Sequence, residues 1–118
     1  MPEFEVNFYE TANGNRPAED FLMSLDTKMR AKMLRMIHML MKNGNELREP
    51  YSKFISDGIY ELRAKVGSDI SRILYFFMIG HRIILTNGFV KKTQRIPVNE
   101  LEKAKRYRAD YLERWRVR

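Results

Sequence analysis

The strongest constraint on this chain is a stretch from Ile59 to Val90 in which three strand-forming runs follow one another with almost no chain between them. Ile59–Val66 alternates apolar and polar residues and is closed by Gly67-Ser68-Asp69. Ile70–Ile79 is nearly all apolar and is closed by Gly80-His81. Arg82–Val90 follows directly, with Asn87-Gly88 hinting at a bulge. Links this short join antiparallel neighbours, because a parallel return needs a crossover of about a dozen residues. The segment therefore predicts a three-stranded meander, which must bury at least one face under other elements.

Those elements are visible on either side. Phe4-Glu5-Val6-Asn7-Phe8-Tyr9 alternates with period two and predicts a strand, ended by the turn residues Asn13-Gly14-Asn15. Pro17 fits a first helical position, with Glu19 and Asp20 favouring the helix dipole. A short helix through Phe21, Leu22 and Leu25 follows. Asp26 is placed to cap a second, in which Met29, Met33, Met36, Ile37, Leu40 and Met41 recur at helical spacing. Lys28, Lys32, Arg35 and Lys42 lie on its other side, where Met39 is the apolar exception and marks either a partner surface or a single exposed methionine. Asn43-Gly44 stops this helix, and the tight link predicts a helical hairpin. Residues 45–57 read as irregular, with Pro50 breaking any regular element. A last helix starts at Pro97-Val98-Asn99, capped by Asn99 with Glu102 in the reciprocal position, and packs through Leu101, Ala104, Tyr111, Leu112 and Trp115. The expected fold is α+β, one domain over 1–118, in the order β-α-α-β-β-β-α. A small antiparallel-rich sheet carries the helical hairpin.

Charge narrows the partner. The chain has 118 residues and a net charge of +7. Residues 91–118 hold ten basic and four acidic residues, whereas residues 1–90 are close to neutral. A local basic excess suits a polyanion such as nucleic acid, and equally a solvated surface. Without cysteine there is no thiol catalysis, disulfide or thiolate metal site. The longest apolar run is seven residues, far short of the ~20 of a membrane helix, and the acidic N-terminus carries no apolar signal region. The expectation is a cytoplasmic protein with no membrane partner.

Within the meander, Tyr60, Leu62, Ala64 and Val66 face one way, and Glu61, Arg63 and Lys65 the other. Arg72 sits inside an apolar run and needs an acid, a phosphate or solvent. One register sets Arg63 beside Arg72, and a one-residue slip puts them on opposite faces. After Phe89 come Lys91, Lys92 and Arg95, an aromatic and three cations suited to a base beside phosphates, or to a polar loop. His38 and His81 have no partner near them in sequence, and no metal-ligand spacing, phosphate loop or nucleophile elbow is present.

Three motifs in register carry a resemblance. Tyr60-Glu61-Leu62-Arg63, then Ser71-Arg72-Ile73-Leu74-Tyr75-Phe76, then Asn87-Gly88-Phe89-Val90-Lys91-Lys92-Thr93-Gln94 with Pro97 resemble the RelE/ParE toxin superfamily, nearest its HigB-like, phage-derived branch. The resemblance implies the toxin of a type II toxin–antitoxin pair. It implies ribosome-dependent mRNA cleavage that uses the RNA 2′-hydroxyl and needs no metal or cofactor. The implied partners are a helix-turn-helix antitoxin and mRNA on the ribosome. By the same resemblance Arg63 would bind the scissile phosphate and Arg72 would add a second contact. Lys91 or Lys92 would act as acid or base, and Lys53 falls where related toxins carry basic residues. Lys65 and Arg95 would add phosphate contacts, Phe89 would stack on a base or pack, and Glu61 would orient Arg63. One departure is plain: no aromatic follows Lys92 where some relatives carry a tyrosine, and Tyr107 and Tyr111 lie further on. The superfamily leaves two other readings open, a ParE-like toxin acting on a protein such as a topoisomerase, and a non-catalytic antitoxin-binding module.

Overall fold

A computed structural model describes residues 3–90 and 95–116. Five strands form one sheet in the order β1-β5-β4-β3-β2: β1 (Glu5–Phe8), β2 (Ser52–Ser56), β3 (Ile59–Val66), β4 (Asp69–Met78) and β5 (Arg82–Val90). The meander is present as expected, β3 pairing antiparallel with β4 and β4 with β5. β1 runs parallel to β5 at one edge, so the sheet is mixed.

The reading of 45–57 as irregular is corrected. Gly44–Glu46 forms one 3-10 turn, and Ser52–Ser56 is a strand, β2, antiparallel to β3. The order is therefore β-α-α-β-β-β-β-α. Pro50 does not break β2, because it lies ahead of the strand.

The sheet is covered on both faces. Helices α1 (Pro17–Ser24) and α2 (Thr27–Asn43) lie on one, burying Leu22, Met33, Met36 and Leu40 against Leu62, Ile73, Tyr75, Ile83 and Leu85. Helix α1 sits chiefly over β5 and α2 over β3, so the sheet rather than the partner helix is their main contact. Asp26 caps α2 as its position requires, its carboxylate accepting from the Met29 amide at 2.9 Å. Gly44 ends α2 at φ +52°, where the Phe4 ring fills the space a Cβ would take.

Helix α3 (Val98–Arg116) covers the other face, over Leu74, Phe76, Ile84 and Phe89. Its contacts are Leu101, Ala104, Tyr107 and Tyr111. Leu112 is absent from that cluster, and Trp115 is exposed and stacks on the Arg82 guanidinium at 4.4 Å. The expected Asn99 cap is also corrected. Asn99 lies inside the helix, and the Pro97 carbonyl accepts from the amides of Glu100 and Leu101, each at 3.1 Å. Among the described residues no helix is long and apolar enough to cross a membrane.

Candidate functional site

The β3–β4 register answers the question the sequence leaves open: Arg63 stands directly opposite Arg72. On the next strand pair Arg72 is opposite Phe89, and on the other side Glu61 is opposite Lys53. Direct cross-strand partners share a face, so these positions gather on the α3 side of the sheet. Helix α3 packs over β4 and β5 rather than β2, which leaves the β2–β3 side of this face less covered.

Two guanidinium groups side by side repel, and the side chain between them decides whether the pair is tolerated. The Glu61 carboxylate accepts from Arg63 Nε at 2.6 Å and lies 3.6 Å from Arg72 Nε. Glu61 and Arg72 are buried, 1% and 0% exposed, while Arg63 keeps 17% of its side chain in solvent. The three groups form a charged triad with one member reaching outward. Burial pushes the Arg72 guanidinium below its ordinary value, Glu61 opposes that shift, and Arg63 adds to it.

Glu61 is the buried counter-charge of both arginines. One expectation is corrected here. Arg72 reaches no solvent, so a direct phosphate contact is not available to it in this structure; it holds Glu61, and through it Arg63. Of the two expectations for Phe89, stacking on a base or packing, the structure has packing: it is 8% exposed and lies with Leu74, Phe76 and Ile84 in the α3-side core. It is not presented for stacking. Lys53, Lys65 and Arg95 are exposed, and Lys91 and Lys92 lie outside the described residues.

A cavity of about 280 Å³ lies at the sheet edge beyond the end of β2, reached by Arg63 but not by Glu61 or Arg72. Arg63 and Lys65 line it from β3, Lys32 and Met36 from α2, and Tyr51 from the segment ahead of β2. The Arg63 amide donates to the Tyr51 carbonyl at 2.9 Å, which fixes that segment against β3. Lys32 and Tyr51 are site-lining residues that the sequence reading missed. They lie 31 and 12 positions before Arg63, and no local spacing connects them. Asn87 is another. It is buried, and its amide donates to the Glu100 carbonyl at 3.1 Å and to the Glu100 carboxylate at 3.0 Å, tying the end of β5 to the start of α3.

The two histidines line different cavities, His38 on α2 and His81 in the β4–β5 turn against the Phe4 ring. Among the described residues no three His, Asp or Glu side chains gather as a metal cluster would. What the site offers chemically is fixed positive charge: one outward guanidinium held from behind by a carboxylate, with lysines beside it. That arrangement suits an anionic group that gains charge during reaction.

No curated protein matches the chain. Residues 20–109 match the family model described as Phage derived protein Gp49-like (DUF891), a span running from α1 into α3 and including the whole triad. The chain belongs to this phage-derived family, a RelE-like toxin family.

Proposed function

We propose that this protein is the toxin of a type II toxin–antitoxin pair, of the HigB-like branch, and that it cleaves mRNA on the ribosome in the cytoplasm, under the control of a helix-turn-helix antitoxin. The observation that carries this reading is the Glu61-held Arg63, the one member of a buried triad that faces solvent, at a cavity also lined by Lys32 and Lys65.

The chemistry asks little of the protein beyond position and charge. The RNA 2′-oxygen attacks the adjacent phosphorus, the bond to the 5′-oxygen breaks, and a cyclic phosphate remains. One proton leaves the 2′-hydroxyl and one is delivered to the departing 5′-oxygen. Negative charge grows on the phosphorus oxygens between these events, and a fixed guanidinium stabilises it without reorganising. Arg63 takes that role. Glu61 holds Arg63 by a charge-assisted bond, and Arg72 holds Glu61, so both are positioning residues. Lys91 and Lys92 are the proton carriers of the proposal, since a lysine among cations gives up its proton more readily. Lys53, Lys65 and Arg95 guide the RNA backbone.

Induction in bacteria tests it. The parent chain should arrest growth and leave cleaved transcripts. Arg63→Ala should relieve both by 100-fold or more, and Arg63→Lys should rescue little, because a lysine cannot take both the Glu61 bond and a phosphate in one plane. Growth arrest with intact mRNA and a DNA-damage response would point instead to a ParE-like action on a topoisomerase. Tight antitoxin binding with no toxicity would point to a non-catalytic module.

A further inference from the structure

The cavity beside Arg63 is one end of a longer groove. A second cavity, about 570 Å³, adjoins it along the outer side of α2, and the two share Lys32, Met36 and Tyr51. Its apolar surface comes from Leu34, Met36, Met39 and Tyr51, with Leu34 48% and Tyr51 42% exposed. Its edge carries Lys32, Arg35 and His38. Among the described residues no aspartate or glutamate lines either cavity.

We infer that this groove docks an acidic amphipathic segment of the antitoxin, with apolar side chains over Leu34, Met39 and Tyr51, carboxylates toward Lys32 and Arg35, and the far end of the segment at Lys65 and Arg63. The inference rests on the toxin reading above for its partner. Charge complementarity selects the occupant: a rim of cations with no lining carboxylate favours an acidic segment. The floor selects protein over RNA. Leucine and methionine offer aliphatic surface to side chains, whereas bases stack on aromatic rings, and Leu34, Met36 and Met39 outnumber the rings of Tyr51 and His38 here. Exposed apolar residues flanked by polar ones are the pattern of a helix-in-groove contact. Continuity with the Arg63 cavity gives docking a consequence: a carboxylate at that end would compete with phosphate for Arg63.

Titration calorimetry of the full chain with the antitoxin encoded beside it tests this. Arg35→Glu should weaken binding at least tenfold, and Leu34→Glu should do the same. Both positions are exposed and lie outside the cavity at Arg63, so the variants should still fold and keep the site. Expressed alone they should arrest growth as the parent does, and co-expressed with antitoxin they should escape neutralisation. Unchanged affinity in both variants overturns the inference, as does an antitoxin that does not bind the parent chain. So does a groove whose charge reversal impairs mRNA cleavage but not antitoxin binding, which would make it an RNA path. If the parent proves non-toxic, the toxin reading fails, while the affinity comparison still decides the docking surface.

Discussion

A buried charge needs a reason, and Arg72 supplies one for its neighbours. It is fully buried inside a strand of apolar residues, and Glu61 stands 3.6 Å away. Removing the carboxylate would leave two facing guanidinium groups with their shared counter-charge gone. Breaking a buried ion pair by removing one partner costs ~3–5 kcal/mol, whereas replacing the charges together with apolar groups of similar size is often neutral. Glu61→Gln should therefore destabilise the fold by about 3 kcal/mol in chemical denaturation. Glu61→Gln combined with Arg72→Met should be more stable than Glu61→Gln alone. Equal or greater loss in the double variant would show that Arg72 stabilises through contacts other than Glu61. Both variants should also lose cleavage, since Arg63 is no longer held, and Arg63→Ala should lose cleavage with little change in stability. The sequence showed which residue types were present and which face each would take. It could not show that Glu61 is buried, because burial is set by elements outside β3, and alternation within β3 looks the same for a wet face and a dry one.

Elements were legible where the pattern is local. Strands β3 and β5 fall on the expected residues, and α1 starts at Pro17, because alternation, glycine turns and a proline at the first helical position each act within a few residues. Strand β2 was not legible. It is five residues long, follows a proline, and owes its conformation to pairing with β3. The parallel join of β1 to β5 is equally non-local, linking residues 5–8 to 82–85. The hint of a bulge at Asn87-Gly88 was close: the register shifts between Leu74 and Tyr75, leaving Thr86 to donate its hydroxyl to the Leu74 carbonyl at 3.0 Å. Gly88 has a different task. A Cβ there would meet the Phe21 ring of α1, so the glycine lets α1 close onto β5. Gly88→Ala should cost about 1–3 kcal/mol by overpacking, and Phe21→Leu should recover part of it. A Gly88→Ala melting temperature equal to the parent's would show that Phe21 moves aside freely.

At the scale of the whole molecule, the basic excess of residues 91–118 is less open than its count suggests. In α3, Lys105 pairs with Asp57 at 3.0 Å, Lys103 with Glu100 at 3.6 Å, and Arg114 with Asp110 at 2.6 Å. Much of the helix charge fastens α3 to itself and to the β2–β3 turn, and the site's outward charge comes from β3 and α2. The two faces also respond to alkali in a common way. Burial, then the bond to Asp110, pushes Tyr9 up to about 12, and burial pushes Tyr75 up to about 12 from the ordinary 10.0. A raised value means that the folded state keeps its proton longer than the unfolded chain. Stability from these groups is therefore complete below pH 10 and is lost as pH rises toward 12. Each tyrosine can contribute up to about 1.4 kcal/mol per pH unit to that slope. Denaturation midpoints taken from pH 9 to 12 should fall less steeply for Tyr75→Phe than for the parent, and parallel curves would contradict the assignment.

The central claim is that Arg63, held by a buried Glu61–Arg72 pair, stabilises the charge that develops as mRNA is cut. Its most direct measurement is the mapping of RNA ends in a bacterial translation extract supplied with purified parent or Arg63→Ala chain, with and without ribosomes. New breaks with cyclic phosphate ends are expected for the parent only when ribosomes are present, with a loss of at least 100-fold in Arg63→Ala. Equal cutting by the two chains, or no cutting by a folded parent on translating ribosomes, would contradict it.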